Sequence, residues 1–234
     1  MGDLSIARGA WQPEIRWDTP SGLALDALLA SLPPDWAHTI VLFGSSPLQL
    51  AIEPSFASAD VDLFCDEARE DIERALTSAH LHKGDGEFYV QCCWEGNFRT
   101  SPRWRQRAAS VSRRNVRLLL PHPIDLLIAK LHRYEEKDRN AFRLVVERTG
   151  HPSEEELLTE LQFSVDLFRP AFDEETAGDI TANTGIMWED IFGRSIDVRR
   201  EIIAPALARL RAGYADDLPR RDYKADLRRL GDIH

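Results

Sequence analysis

Two aspartates interrupt a short apolar stretch in which a buried strand is otherwise expected. Asp60 and Asp62 alternate with aliphatic residues in the segment ADVDLF, so both carboxylates share one face of the predicted strand. Their α-carbons would lie roughly 6.5 Å apart. Two carboxylates held that close repel each other unless a cation or several hydrogen-bond donors neutralise them. Magnesium is the simplest solution, because it binds one or two protein carboxylates and completes its shell with water and phosphate oxygens.

A turn of small residues precedes this pair along the chain. Gly44, Ser45 and Ser46 follow the apolar run TIVLF and lead into a predicted helix near Pro47. Glycine allows the backbone to approach a ligand closely, and the N–H groups that open a helix can hold phosphate oxygens. The serine hydroxyl adds a donor. The turn and the aspartate pair together predict a site for phosphoryl transfer.

Two blocks of the chain carry a resemblance to a known family. The turn in VLFGSS, about fifteen positions before the pair in ADVDLF, resembles the signature of the polymerase-β-like nucleotidyltransferase superfamily. The block LLLPHPIDLLIAKLHRYEEKDRNAF is similar to the Pro-x-Asp-Leu-Leu, Lys-Leu and Lys-Asp segment of the AbiEii-type branch, whose members are often encoded as toxins. The resemblance covers roughly residues 39 to 146.

The resemblance implies a role for each matched residue. Asp60 and Asp62 would bind Mg²⁺ (or Mn²⁺), and Lys130 would contact a nucleotide phosphate. The triphosphate would be held by the turn, which consists of Gly44, Ser45 and Ser46. Asp138 would orient Lys130 or help to activate the acceptor hydroxyl. The implied reaction is in-line attack of a hydroxyl on the α-phosphate of a nucleoside triphosphate, with release of pyrophosphate.

The chain departs from the superfamily pattern at the third carboxylate, which many members place on a neighbouring strand. The predicted third strand offers Gln91 near its centre, where an acid is expected, and Glu95 at its end. Three alternatives follow: Glu95 completes the metal site, Asp138 completes it from a helix, or activity is weakened. Without the resemblance, Lys130 would be interpreted as a surface lysine and Asp138 as a helix N-cap.

The charge of the chain is unevenly distributed. Net charge is −10, and the stretch from Gly96 to Ile124 contains seven arginines and no acid, so the rest of the chain sums to −17. These arginines are Arg99, Arg103, Arg105, Arg107, Arg113, Arg114 and Arg117. The segment predicts either a solvated connection or, through all of them but Arg117, a contact with RNA that combines backbone charge with stacking on Trp104.

Strand and helix patterns predict an α+β fold with a nucleotidyltransferase-type mixed β-sheet, flanking helices and an all-helical C-terminal part. We predict an α/β core over residues 1–121 and a helical region over 122–234. The predicted strands are Thr39 to Phe43, Asp60 to Phe64, Phe88 to Trp94 and Asn115 to Leu120. The arginine segment is predicted to be the long connection between the last two strands.

Composition narrows the class of protein. Hydrophobic residues make up 43% of the 234 residues, and no run reaches membrane-spanning length. No signal peptide is recognisable, and three cysteines fit neither a disulfide framework nor a zinc site, so we expect a cytoplasmic protein whose cysteines are packing residues. His122 and His132 are expected at the surface.

Three functions are compatible with these features. The first is a magnesium-dependent nucleotidyltransferase that acts on RNA, a protein or a small molecule, and a toxin-like member would have a partner antitoxin. The second is a catalytically inactive module that keeps the fold as a nucleotide sensor or complex partner. The third is an antibiotic-type adenylyltransferase with an acidic cleft for a cationic acceptor.

Overall fold

A mixed sheet of five strands forms the centre of the computed structural model, which describes residues 11–58, 60–171 and 179–217. Its strands are β1 (Thr39–Phe43), β2 (Asp60–Phe64), β3 (Tyr89–Cys92), β4 (Ala109–Arg113) and β5 (Val116–Leu120). The spatial order is β3-β2-β1-β5-β4. Strand β1 pairs antiparallel with β2 and parallel with β5, whereas β2 and β3 are parallel and β4 and β5 are antiparallel. The predicted α+β class is confirmed.

Helices cover both faces of the sheet and continue after its last strand. The α-helices of the described residues are α1 (Pro20–Ala30), α2 (Ser46–Ala51), α3 (Arg69–Ala79), α4 (Trp104–Arg107), α5 (Pro123–Lys130), α6 (Glu136–Thr149), α7 (Glu154–Phe163), α8 (Asp179–Phe192) and α9 (Ala204–Asp217). Shorter helical turns of 3₁₀ type span Asp66–Ala68, Glu95–Asn97 and Val165–Ala171, and a π-helical turn spans Val198–Ile203. No helix among the described residues is long and apolar enough to cross a membrane.

Alternation along the strands separates two apolar layers. Ile40, Leu42 and Leu63 point to a layer formed with α1 and α3, in which Cys65 and Cys92 are also buried, as predicted for packing residues. Val41, Phe43 and Phe64 point to the opposite layer. This second layer includes buried residues of the helices α5 to α8. Residues on both sides of the predicted domain boundary after residue 121 therefore share one apolar cluster.

The predicted arginine connection contains ordered structure. Helix α4 and strand β4 both lie within it, so the strand predicted as the fourth is β5 of the sheet. Strands β4 and β5 form a hairpin whose turn residues, Arg114 and Asn115, have φ values of 50° and 66°. Positive φ at both central residues is the backbone of a hairpin turn that matches the twist of the strands. Strand β3 is also shorter than predicted, because the chain turns into a 3₁₀ turn after Cys93.

Candidate active site

A cavity of about 240 Å³ opens at the end of β1, and the predicted site residues meet there. One wall is formed by strand β2 and the turn after β1, and the opposite wall by α5 and the start of α6. The predicted residues that line it are Gly44, Ser45, Asp60, Asp62, Lys130 and Asp138. Ser46 lies behind this lining, fully buried, where its hydroxyl donates to the Phe43 carbonyl oxygen at 3.3 Å.

Gly44 and Asp62 touch across the first two strands. The antiparallel register pairs Phe43 with Asp62, so the Asp62 carboxylate lies over the residue that follows β1. A β-carbon added to Gly44 would lie 2.2 Å from Asp62 Oδ2. Gly44 also has a φ of +71°, which favours glycine over residues with a side chain. The turn therefore requires glycine for the position of the carboxylate as well as for its own backbone.

The Asp62 carboxyl group lies in an environment that disfavours its charged form. Burial, and next the charge of Asp60, raise the pKa of Asp62 to about 6, while Lys130, Lys137 and Arg133 act in the opposite direction. The cations of the facing wall thus offset only part of the free-energy cost of ionising a buried carboxyl group next to a second carboxylate.

A chain of hydrogen bonds holds Lys130 beside the turn. The ammonium group donates to Asp138 Oδ1 at 2.9 Å and to Ser45 Oγ at 3.3 Å. Lys130 is only 7% exposed and Asp138 is fully buried. Lys130 is therefore not the surface lysine that the sequence would suggest without the family resemblance. Lys130 and Arg133 lower the pKa of Asp138 against the effect of burial. Asp138 is therefore an ionised partner that fixes the position of Lys130.

Asp138 also belongs to the first turn of α6. Its Oδ2 accepts a hydrogen bond from the backbone N–H of Glu135, which is the N-cap of that helix. Asp138 is thus the third helical residue of a capping box, where the isolated sequence suggested the N-cap itself. The same carboxylate joins the helix start to Lys130.

Asp60 is hydrogen-bonded from the other side of β2. The parallel register with β3 pairs Asp60 with Tyr89 and Asp62 with Gln91. The Tyr89 hydroxyl donates to Asp60 Oδ2 at 3.1 Å. Gln91 is exposed beside Asp62, at the position where the superfamily pattern suggests an acid.

The two candidates for a third carboxylate lie elsewhere or are already bound. Glu95 pairs with Arg105 at 2.6 Å and lines a separate cavity of about 370 Å³, also lined by His38, Glu67 and Arg117. The residues that follow Glu95 in the chain include Phe98 and Trp104, whose aromatic side chains pack on the sheet face as part of its apolar core. Glu95 is therefore not placed with Asp60 and Asp62, and the Asp138 carboxylate is engaged by two cations.

Most arginines of the predicted RNA-contacting set have carboxylate partners. Arg107 is 5% exposed and contacts Asp125 and Glu160, at 2.5 and 2.7 Å. Arg103 also binds Glu160, and that pair lies largely out of solvent. These ion pairs make Arg103 and Arg107 the least accessible arginines of the predicted set. Their partners come from helices α5 and α7, distant in sequence.

The remaining arginines of that set are nearer the surface. Arg113 and Arg114 both bind Asp26 of α1 at 2.7 Å. Arg105 forms the exposed pair with Glu95, and Arg99 is exposed. Five of the six arginines therefore take part in ion pairs, and those of Arg113 and Arg114 join the β4–β5 hairpin to α1.

His122 is a further correction. The predicted surface histidine is 3% exposed, and its Nδ1 accepts a hydrogen bond from the backbone N–H of Ile124 at 3.2 Å as the N-cap of α5. Burial, and next the charge of Arg107, lower its pKa to about 4. His132 is exposed, as predicted, and lies at the rim of the cavity.

Sequence reasoning missed several residues of the cavity. Arg133 and Lys137 line it together with Lys130, and Asn97 lies on the opposite side. Lys130 ends α5, Arg133 lies between the two helices and Lys137 is in the first turn of α6, so no single helical spacing links the three cations. Strand alternation puts Tyr89 on the same face as Gln91, but nothing in the sequence pattern links its hydroxyl to Asp60.

The residues present fit a magnesium ion bound with a phosphate ligand. Among the described residues no group of three or more His, Cys, Asp or Glu side chains is arranged to hold a metal. Asp60 and Asp62 supply two carboxylates on one face of β2, both lining the cavity. Magnesium commonly binds through one or two carboxylates and takes its other ligands from water and substrate phosphates.

The chain matches the model of a protein family. A family model described as "Nucleotidyltransferase of unknown function (DUF6036)" matches residues 23–174. That range includes every residue of the cavity. No curated protein and no solved structure has significant similarity to the chain.

Proposed function

Because the chain belongs to the family of nucleotidyltransferases of unknown function (DUF6036), we propose that it transfers a nucleoside monophosphate from a nucleoside triphosphate to a hydroxyl acceptor. The reaction depends on Mg²⁺ (or Mn²⁺) held by Asp60 and Asp62. One observation supports this most: the two carboxylates face Lys130, Arg133 and Lys137 across a single cavity. A triphosphate needs negative ligands for its metal and positive ligands for its oxygens, and this cavity offers both.

Different residues of the cavity bind different parts of the triphosphate or hold one another in position. Ser45 and Lys130 bind phosphate oxygens next to the turn, and Gly44 lets the phosphates approach the backbone. Asp138 keeps the Lys130 ammonium group directed into the cavity. Arg133, which is half exposed, binds phosphate from the rim. When bound, the divalent cation stabilises the charge that develops on the attacking and leaving oxygens.

A second candidate function is a nucleotide-binding module without catalysis. It is favoured by Gln91, which stands beside Asp62 where a third acid is expected. Such a module would bind nucleotide and divalent cation through the same residues and release no pyrophosphate.

The proposal also includes a toxin-like role and RNA as the acceptor. The similarity of the segment around Lys130 and Asp138 to the AbiEii-type branch supports a toxin-like role with a partner antitoxin. RNA is one acceptor class, and Arg99 and Arg105 are exposed arginines of the predicted set that would contact it. Charge reversal at both positions should weaken RNA binding and reduce its salt dependence if RNA is bound there.

The test uses the purified chain with each nucleoside triphosphate labelled at the α-phosphate, Mg²⁺ and a cell lysate as the source of acceptors. Label transfer and pyrophosphate release are measured for the wild type, for Asp62→Asn and for Lys130→Met. The matched control is Glu70→Gln, which removes an exposed carboxylate on α3 outside the cavity.

We expect transfer by the wild type and the control, and its loss in the two cavity variants. Calorimetric titration with Mg²⁺ and nucleotide should show binding that Asp62→Asn weakens. Binding without any pyrophosphate release would favour the inactive module. Transfer that survives Asp62→Asn would rule out the proposed site.

A further inference from the structure

A tyrosine hydroxyl contacts one carboxylate of the proposed site from beside the cavity, which Tyr89 itself does not line. Tyr89 begins β3, which is an edge strand of the sheet, and its hydroxyl donates to Asp60 Oδ2 at 3.1 Å. The side chain is half-buried, and Lys83 Nζ lies 5.8 Å from the centre of its ring. A hydroxyl group of this chain is therefore already bound to one of the two carboxylates that would hold the divalent cation.

The order of the strands separates the two sides of this site. Strand β2 carries Asp60 and Asp62 and lies between β1 and β3. On the β1 side the Asp62 carboxylate lies over Gly44, next to Ser45 and Lys130, which bind the phosphates. On the β3 side Asp60 binds Tyr89. In-line transfer requires the leaving phosphates and the attacking hydroxyl to approach the reacting phosphorus from opposite sides.

Other hydroxyl groups near the cavity are placed differently. Ser45 Oγ accepts from Lys130 on the phosphate side. Ser46 is buried against the Phe43 carbonyl, and the Thr100 hydroxyl donates to the carbonyl of Asp125. Tyr89 is thus the one hydroxyl, among those of the described residues considered, that contacts a carboxylate of the pair.

We propose that Tyr89 is an acceptor in its own active site, so that the chain attaches a nucleoside monophosphate to the hydroxyl of Tyr89. The inference rests on the proposed function and adds to it an acceptor class, the phenolic hydroxyl. Tyr89 lines a neighbouring cavity with Lys83 and Gln91, so a modified Tyr89 would lie beside Asp60 on the β3 side of the site. Self-modification would therefore limit transfer to other acceptors.

The step balances with the groups on hand. Tyr89 Oη attacks the α-phosphorus of the nucleoside triphosphate, and the new Oη–P bond forms as the bond between the α-phosphorus and the bridging oxygen breaks. Pyrophosphate leaves with the electron pair of that bond on the β1 side. The hydroxyl proton passes to water, while Asp60 Oδ2 orients the hydroxyl through its hydrogen bond. No oxidant, reductant or second substrate is required.

The experiment follows the purified full chain with Mg²⁺ and each nucleoside triphosphate, labelled in parallel at the α- or the γ-phosphate. Intact mass, denaturing gels and peptide mapping locate any attached label. The variant is Tyr89→Phe, whose folding is checked by thermal unfolding. The matched control is Tyr134→Phe, which removes another tyrosine hydroxyl bound to an aspartate at 3.1 Å, in that case Asp190 and not a carboxylate of the pair.

We expect the wild type and Tyr134→Phe to gain one nucleoside monophosphate from the α-labelled nucleotide and none of the γ label. The peptide that contains Tyr89 should carry it, a phosphodiesterase should remove it, and Tyr89→Phe should lack it. Label on a different residue, or no self-labelling by a wild type that transfers label to lysate acceptors, would overturn this inference alone. Absence of both self-labelling and transfer would overturn the proposed function as well.

Discussion

The absence of a side chain at Gly44 makes room for the Asp62 carboxylate, so a larger residue at this position would displace it. Replacement by alanine introduces two separate costs. One is backbone strain at φ +71°, and the other is the contact of 2.2 Å between the new β-carbon and Asp62 Oδ2. The carboxylate can relieve that contact only by moving away from the position that pairs it with Asp60.

We predict that Gly44→Ala loses transfer activity by about 100-fold, since a displacement of about 1 Å in a catalytic group has an effect of that size. Strain alone should lower the free energy of unfolding by about 1 kcal/mol. The control is Gly150→Ala, at nearly the same φ (+69°) but with open space around the new β-carbon. It should share the loss of stability, measured by urea unfolding, and keep activity and Mg²⁺ affinity. Equal activity in both variants would contradict this account of Gly44.

Lys130 and Asp138 show how one residue can serve the fold and the site together. The Asp138 carboxylate caps α6 and orients the Lys130 ammonium group. A structural role in the helix therefore does not compete with a role in the cavity, although the isolated sequence presents the two as alternatives. Substitution of Asp138 would affect helix stability and phosphate binding at once.

At the scale of elements, α4 is fixed by a buried cluster of charges. Arg107 contacts both Asp125 of α5 and Glu160 of α7 with almost no solvent exposure. Removing one member of a buried ion pair leaves an uncompensated charge, which costs about 3 to 5 kcal/mol. We predict a loss of that size in the free energy of unfolding for Arg107→Leu, measured by urea denaturation.

The control for this prediction is Arg105→Leu in the same helix. Arg105 forms an exposed pair with Glu95, and exposed pairs contribute about 1 kcal/mol or less. Similar losses in the two variants would mean that the cluster around Arg107 does not hold the segment. The comparison also distinguishes Arg107, which is buried and structural, from Arg105, which is exposed to solvent.

The start of α5 makes stability depend on pH through His122. This histidine has a folded-state pKa of about 4 against an ordinary value of 6.5, because burial and then Arg107 and His151 disfavour its charged form, with Glu156 acting in the opposite direction. Its contribution to stability is therefore complete above pH 6.5 and is lost as the pH falls through 4. A shift of this size corresponds to about 3 kcal/mol.

His122→Asn provides the test, because asparagine supplies an N-cap acceptor that does not titrate. Urea unfolding between pH 7 and 4 should show the wild type losing about 3 kcal/mol more than the variant over that range. Nearby groups such as Asp125 titrate in both proteins, so the difference between the two curves isolates the histidine. Parallel curves would contradict a buried neutral His122.

At the scale of the whole molecule, the sheet and the helices after it share an apolar cluster. Val41 and Phe64 of the sheet belong to the same cluster as Leu127 and Trp188. We predict that a fragment of residues 1–121 lacks a cooperative unfolding transition, because its sheet face would lose that cover. Circular dichroism during heating tests this, with the full chain as control. A cooperative transition in the fragment would support a separate α/β domain ending at residue 121.

Much of this architecture could be predicted from the sequence. The alternation of side chains along a strand predicted β1, β2 and the shared face of Asp60 and Asp62. The turn at Gly44 and Ser45 predicted the part of the cavity next to the end of β1. Strand β4 was missed although Ala109 and Val111 alternate with serines, because the surrounding arginines suggested a solvated connection. The partners of those arginines lie far along the chain, and so do the rings that bury His122. Such long-range contacts leave no local pattern.

The central claim is that Asp60 and Asp62 form the metal-binding half of a nucleotidyl-transfer site, and the rate of Mg²⁺-dependent pyrophosphate release tests it most directly. The comparison is between the wild type, Asp60→Asn, Asp62→Asn and Glu70→Gln at saturating nucleotide and with lysate acceptors. The account predicts that each aspartate variant is slower by at least about 100-fold, since metal stabilisation supplies several kcal/mol, while Glu70→Gln matches the wild type. Equal rates in all four proteins would contradict it.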